Sequence, residues 1–232
     1  MIERAITILP ETTKNPITLI GKRAGICYGS DIFDDEKNYK RGLDCINSGH
    51  ERAMEFVNVE LIIEGYSARV IREWYTHIGG MPTRLQSSTR YIDYSKRGFD
   101  YVVPQSIQNN ATALTKWQKL MQHIQHECFE LETDYNISKE DVANALPLGM
   151  ITKIVDKRNL RNLIDMSRQR MCGRAYWEYR MLFKNICKAL STYSEEWKQI
   201  VNNLFHAKCT ELGYCPETKS CGRYKKQLTE RK

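Results

Sequence analysis

From Ala111 to Thr133 apolar side chains recur at Leu114, Trp117, Leu120, Met121, Ile124, Cys128 and Leu131, a spacing that lines them along one stripe of a long helix. Such a stripe must be buried against something. Upstream the period changes: Val57, Val59, Leu61 and Ile63 alternate through Phe56 to Ile63, as in a strand with one face covered, and Ala68 to Tyr75 returns to helical spacing. Residues 37–48 read as helix through Leu43 and Ile46, Ser138 to Asp141 forms a capping box for a short helix that Pro147 ends, and two more helices fall around 172–191 and 194–212. Helices mixed with strands predict an α+β fold, a mixed sheet packed with several helices. With 41% hydrophobic and 27% charged residues in 232, and no long Pro/Gly/Ser linker, one domain over 1–222 with a basic tail over 223–232 is expected.

The formal net charge of +7 favours anionic ligands, without choosing among nucleotides, folate glutamates and nucleic acid. The N-terminal residues Met1 to Ile6 carry no apolar core of a secretion signal, and no run near eighteen apolar residues occurs. A cytoplasmic protein without membrane association is expected. Eight cysteines then read as reduced thiols rather than a disulfide framework. Cys209, Cys215 and Cys221 with His206 offer the donors of a tetrahedral zinc site, but five-residue gaps replace the tight Cys-x-x-Cys pairs that make zinc sites specific. No metal is assigned.

Two stretches carry the chemistry. In Thr76 to Tyr91, Gly79, Gly80 and Pro82 end a helical pattern, so the stretch reads as a loop. Arg84 and Arg90 flank Gln86, Ser87, Ser88 and Thr89, mixing forked cations with neutral hydrogen-bonding groups suited to a phosphate. In Asn159 to Glu178, Leu160, Leu163, Ile164 and Met171 supply an apolar stripe. Asn159, Asn162, Asp165 and Ser167, interleaved with Arg161, Arg168 and Arg170, are expected opposite it, on an edge offered to a ligand.

Together these stretches resemble the flavin-dependent thymidylate synthases, which methylate dUMP with FAD as hydride carrier. Members carry a Gly-His element before a strand, an Arg-His-Arg triplet followed by Ser-x-Arg-Tyr, and an Asn-x-Arg helix ending in Arg-x-Cys-x-Arg-Ala-Gln-Trp-Glu. Here these read Gly49-His50, Thr76-His77-Ile78, Ser88-Thr89-Arg90-Tyr91, Asn159-Leu160-Arg161 and Arg170-Met-Cys172-Gly-Arg174-Ala-Tyr176-Trp-Glu178. Weaker likeness runs from Asn15 through Ser30 and over Ser48 to Glu55. The departures are specific. Thr76 and Ile78 replace both flanking arginines, Glu73 a glutamine, Ala143 an arginine ahead of Leu146-Pro147, and Tyr176 a glutamine; Arg84 is a candidate substitute for one lost cation.

The resemblance implies roles for these positions. Glu73, Thr76, Arg84, Gln86, Ser87, Ser88, Thr89, Arg90 and Arg170 would bind dUMP, and Ser30, His50, Arg52, Thr76, His77, Ile78, Gln86, Asn159, Arg161 and Asp165 would bind FAD. Arg170 would stabilise charge on the pyrimidine. Ser88 is the other catalytic candidate, with positioning preferred to covalent attack because no neighbouring base is evident. The co-substrates implied are NADPH and methylenetetrahydrofolate, and the assembly a homotetramer with shared active sites. No Gly-x-Gly-x-x-Gly run follows a strand, so a Rossmann domain is not supported. One rival is a related flavin-dependent C5 modification, such as hydroxymethylation. Another is a non-enzymatic nucleic-acid binder using Tyr91, Tyr94, Lys96 and Arg97; specific nucleic-acid binding is not expected.

Overall fold

A computed structural model describes residues 3–226; the end of the basic tail, residues 227–232, lies outside them. The strands are β1 (Ala5–Ile8), β2 (Asn58–Ser67), β3 (Thr83–Gln86) and β4 (Ile151–Asn159), in the sheet order β1-β2-β4-β3. The helices are α1 (Pro16–Cys27), α2 (Asp35–Asn47), α3 (Ala68–Trp74), α4 (Tyr94–Arg97), α5 (Gln105–Gln108), α6 (Ala111–Thr133), α7 (Lys139–Val142), α8 (Leu160–Arg170), α9 (Trp177–Tyr193), α10 (Glu195–Leu204) and α11 (Lys208–Leu212). The α+β class holds, and the sheet is antiparallel: Lys153 pairs with Glu64 and Lys157 with Glu60, so advancing along β4 retreats along β2. Among the described residues no helix is long and apolar enough to cross a membrane.

Both long inner strands run straight into helices. Ser67 ends β2 and accepts the Val70 N–H at 3.2 Å; Asn159 ends β4 and accepts the Asn162 N–H at 2.9 Å. A last strand residue with a short polar side chain thus serves as N-cap, and the helix axis is set by the strand's end without a flexible loop.

The chain divides into two compact units. Of the described residues, one holds 3–4, 63–76 and 85–154; the other holds 5–62, 77–84 and 155–226. In the first unit α6 buries Met121 and Cys128 and half-covers Trp117 and Ile124, packing them with Phe99, Tyr101, Leu146 and Met150. Its span is the predicted one, and the Asn110 side chain caps it by accepting the Ala113 N–H. Ser138 caps α7 as expected, accepting from Asp141 N–H.

In the second unit α1 and α2 cross at two glycines. A Cβ on Gly21 would lie 1.7 Å from the Asn38 carbonyl oxygen, and one on Gly42 would lie 2.0 Å from that of Ile17, so only glycine permits the approach. Asn15, before α1, makes no side-chain cap. Its place is taken from across the fold by Glu196 of α10, whose carboxylate accepts Ile17 N–H at 2.6 Å, Thr18 N–H at 3.0 Å and the Thr18 hydroxyl at 2.6 Å. Trp197, fully buried beside it, donates its indole N–H to the Thr13 carbonyl at 2.7 Å.

Several boundaries differ from the sequence reading. The stretch read as one loop from Thr76 contains β3, an edge strand whose Thr-Arg-Leu-Gln residues are mostly exposed and so lack an alternating apolar signal. The pattern read through Glu178 stops at Arg170, turns over residues 171–176 and restarts at Trp177. The helix expected over 194–212 breaks at Phe205–Ala207.

Glu196→Ala should lower stability by about 2–3 kcal/mol, the scale for charge-assisted hydrogen bonds whose loss strands buried donors. Urea unfolding read by far-UV circular dichroism checks this; a change below about 0.5 kcal/mol would mean that water replaces the cap.

Candidate functional site

Alternation along β4 puts Thr152, Ile154, Asp156 and Arg158 on the buried face. Two of these are charged, and they satisfy each other. The Arg158 Nε and Nη2 donate to the two Asp156 oxygens at 2.6 and 2.7 Å, and Nη1 donates to Asn162 Oδ1 at 2.6 Å and approaches Met166 Sδ at 2.7 Å. Both side chains are fully shielded from water. The bidentate fork fixes the guanidinium plane, and Asn162 ties it to the first turn of α8. On that turn rests the glycine pair of the first motif. A Cβ on Gly79 would lie 3.1 Å from the Asn162 side chain, and one on Gly80, whose φ is +71°, would lie 2.1 Å from that of Asn159.

This platform carries His77. The Arg170 Nε–H, at the end of α8, donates to His77 Nε2 at 2.9 Å, and the guanidinium lies over the Tyr179 ring at 4.6 Å from its centroid. Tyr179 is fully buried in α9 and meets His77 edge-on, with centroids 6.1 Å apart. Burial first, then the charges of Arg170 and Arg158, push the imidazole down from its ordinary value of 6.5 to about 4. His77 is therefore neutral at physiological pH. A planar cation is held in a defined orientation against an imidazole and an aromatic face.

The remaining residues expected at a flavin divide by environment. His50, Arg52 and Arg161 line an open cavity of about 500 Å³ with Arg23, Tyr28 and Phe56. Arg23 stacks on the Phe56 ring at 5.7 Å, while Arg161 pairs with Glu55 at 2.6 Å and Glu51 at 3.5 Å. Asp165 is held by Arg168 at 3.1 Å, and Ser30 hydrogen-bonds through its N–H to Gly25 O. Arg84 is half-buried in β3; Ile78 is exposed. The edge of α8 expected to face a ligand is corrected in part. Asn162 and Ser167 are buried, and Ser167 donates to the Ile164 and His206 carbonyls, because both sides of this helix are covered within the unit.

The phosphate candidates stand in the other unit. Ser87 N–H continues the β3 ladder to the Lys153 carbonyl at 2.9 Å, and Gln86 Nε2 donates to Thr152 Oγ1 at 3.2 Å. Beyond the strand Ser88 Oγ accepts the Arg90 N–H at 3.1 Å, closing a tight turn around Thr89. Arg90 Nε meets Glu140 at 3.0 Å with both side chains exposed, so it can exchange that carboxylate for another anion at small cost. Thr76 spends its hydroxyl on the Glu73 carbonyl at 2.7 Å. Of the residues offered for nucleic-acid stacking, Tyr94 packs into the core, and Lys96 is paired with Glu132 and Asp93.

The cysteines fall elsewhere. All eight are free thiols, and among the described residues no group of three or more His, Cys, Asp or Glu is placed to hold a metal. Cys172, Cys209, Cys215 and Cys221 share a cavity of about 450 Å³ with Arg170, Arg174 and Arg223.

Residues 8–193 match the family model described as thymidylate synthase complementing protein. The chain belongs to the flavin-dependent thymidylate synthase family. It is 32% identical to the flavin-dependent thymidylate synthase of Nitratidesulfovibrio vulgaris over 194 residues, 77% of this chain and 74% of that one. With that of Thermococcus onnurineus it shares 30% over 215 residues, 88% of this chain and 86% of the relative. The crystal structure of the Helicobacter pylori enzyme complexed with FAD and dUMP superposes with a TM-score of 0.63 at 19% identity, over 85% of this chain and 99% of that chain, a likeness of fold. The family match ends at Tyr193. The segment beyond it contributes Glu211, which grips Arg168 through both oxygens at 3.0 and 3.1 Å, and Glu196, which caps α1.

Sequence reasoning missed Asp156, Arg158 and Tyr179. The first two were hidden because charged residues interrupt the apolar alternation of β4. The usable signal was their i,i+2 spacing directly before the Asn159 cap.

Asp156→Ala should cost about 3–5 kcal/mol, because it leaves an uncompensated guanidinium in a dry interior. Denaturant titration checks it, and a loss under about 1 kcal/mol would mean that water reaches Arg158.

Proposed function

We infer that this chain catalyses the reductive methylation of dUMP to dTMP with FAD as its redox cofactor. The observation that supports the reading is the family match over residues 8–193, beside the contacts of Arg170 with His77 and Tyr179, Arg170 being the first residue of the Arg-x-Cys-x-Arg-Ala-x-Trp-Glu stretch. The lining of the 500 Å³ cavity suits a flavin dinucleotide: Arg23, Arg52 and Arg161 suit a pyrophosphate, and Phe56 and Tyr28 suit a ring system. His50, Arg52 and Arg161 would hold the cofactor there, with Asn159, Asp165 and Ser30 as further candidates. When bound and reduced, FAD supplies the hydride.

The chain's own residues bind and polarise. Ser87, Ser88 and Arg90, with the backbone of their turn, would take the phosphate of dUMP, and Gln86, Thr89, Arg84, Thr76 and Glu73 would complete the nucleotide contacts. Ser88 acts here as a positioning hydroxyl, since its oxygen accepts the Arg90 N–H. Arg170 would stabilise negative charge that builds on the pyrimidine as C5 becomes nucleophilic, a fixed cation acting where charge grows. Methylenetetrahydrofolate as carbon donor, NADPH as reductant, a cytoplasmic setting and a homotetramer with shared sites complete the proposal.

Purified protein incubated with dUMP, methylenetetrahydrofolate, NADPH and FAD should yield a nucleotide one methyl heavier by mass spectrometry. A hydroxymethyl product would transfer the reading to a related C5 modification. Protein that neither takes up FAD nor changes the nucleotide would remove it. Arg170→Ala should lower kcat by roughly 10²–10³ while flavin reduction by NADPH stays near normal, because its contact strengthens only in the transition state. Arg90→Ala should instead raise KM for dUMP more than it lowers kcat, the mark of a contact made equally in ground and transition states. The reverse pattern in either variant would exchange their roles.

A further inference from the structure

We propose that His77 is a positioning residue for Arg170, a neutral hydrogen-bond acceptor in the Nδ1–H tautomer that fixes the plane of the guanidinium for its work on the pyrimidine. The inference rests on the reading of Arg170 given above and concerns how that cation is held.

The argument starts from donor inventory. Arginine has donors only and stays charged, so an Nε–H pointing at His77 Nε2 across 2.9 Å requires a lone pair on that nitrogen. The imidazole is therefore neutral, with its proton on Nδ1. An imidazolium would set N–H against N–H and charge against charge. The charged groups acting on His77 are Arg170 and, behind it, the buried Arg158; both oppose protonation, and burial opposes it further.

The second step is geometric. A hydrogen bond at Nε by itself sets one direction of a guanidinium and not the tilt of its plane about the N–H axis. A stacking face removes that freedom, and Tyr179 supplies it at 4.6 Å. Tyr179 is fully buried in α9, and His77 is set edge-on against the same ring. The histidine is fixed in turn by its neighbours: Gly79 and Gly80 are seated on Asn162 and Asn159, and Asn162 is bonded to Arg158. A chain of rigid contacts thus runs from the core ion pair to the orientation of Arg170. This seat uses no cation from positions 76 and 78, where the chain carries Thr76 and Ile78.

The test uses full-length protein loaded with FAD. Long-range ¹H–¹⁵N spectra at neutral pH should show His77 with a pyridine-type Nε2 and a protonated Nδ1, and the Arg170 Nε–H as a slowly exchanging resonance. Nε2–H or a doubly protonated ring overturns the proposal, whatever the fate of the methylation reading. Two variants separate positioning from flavin contact. His77→Leu should lower kcat by roughly 10–100-fold, with KM for dUMP and bound FAD little changed and the Arg170 Nε–H signal lost to exchange. His77→Gln restores an acceptor oxygen and should recover most of the rate and the signal. Equal losses in both variants, or loss of FAD from His77→Leu in place of loss of rate, overturn it. Should His77→Leu fail to fold, the tautomer of the unsubstituted protein still decides. Wild-type protein that makes no dTMP would defeat the functional reading and leave the tautomer to be judged on its own.

Discussion

The buried pair of Asp156 and Arg158 is the constraint on which the site depends. Removing two charges from water is costly, and the interior returns that cost only when both ions are fully bonded. Here the carboxylate takes two guanidinium nitrogens, and the third meets Asn162 and Met166. The strand and the first turns of α8 must therefore keep one register, because any shift would strand a charge. Everything added to α8 inherits that precision: the Asn159 cap, the glycine turn seated on it, and Arg170 one helix length away. The pair's positive member also adds, after burial and Arg170, to the influences that keep His77 neutral.

The periodic parts of this fold were legible because burial there follows one rule. α6 was readable to its ends, and Val57, Val59, Leu61 and Ile63 alternate in the sequence as they do in exposure, each being fully buried. What escaped was structure whose buried face is polar or whose residues are exposed. β4 hides Thr152, Asp156 and Arg158 where apolar residues would announce a strand, and β3 is a short edge whose residues are mostly exposed. The candidate site shows the same division. Residue types pointed to the Ser88–Arg90 turn and the family resemblance to Arg170 and His77, but neither to Tyr179, which reads as another core aromatic until the guanidinium is seen over its ring. Asn162 and Ser167 looked like ligand groups because a helix's polar face was equated with its exposed face. In a helix covered on two sides that equation fails.

The last third of the second unit explains how marginal local signals become fixed structure. α1 begins at Pro16 without a cap of its own and obtains one from Glu196, nearly the whole chain away. The outer side of α8 carries Arg168, which Glu211 grips through both oxygens in addition to its pair with Asp165. Both carboxylates lie past the region matched by the family model, so segments outside that match complete the ends of α1 and the outer side of α8. Such long-range caps are individually modest, on the scale of one charged hydrogen bond each, yet they convert two helix ends into parts of one core.

The departures from the family pattern gain a physical meaning from this arrangement. A histidine flanked by two arginines would sit in a strong positive field and need compensating anions. With Thr76 and Ile78 in those places, the charges acting on His77 are Arg170, which it orients, and Arg158, which Asp156 already neutralises. Thr76 turns its hydroxyl back onto the Glu73 carbonyl, and Ile78 stands exposed. The loop has thus exchanged cations for neutral side chains without disturbing the acceptor that Arg170 requires. The His77 to Arg170 bond is supported from below by the ion pair in the core, through Asn162 and the glycine turn seated on it.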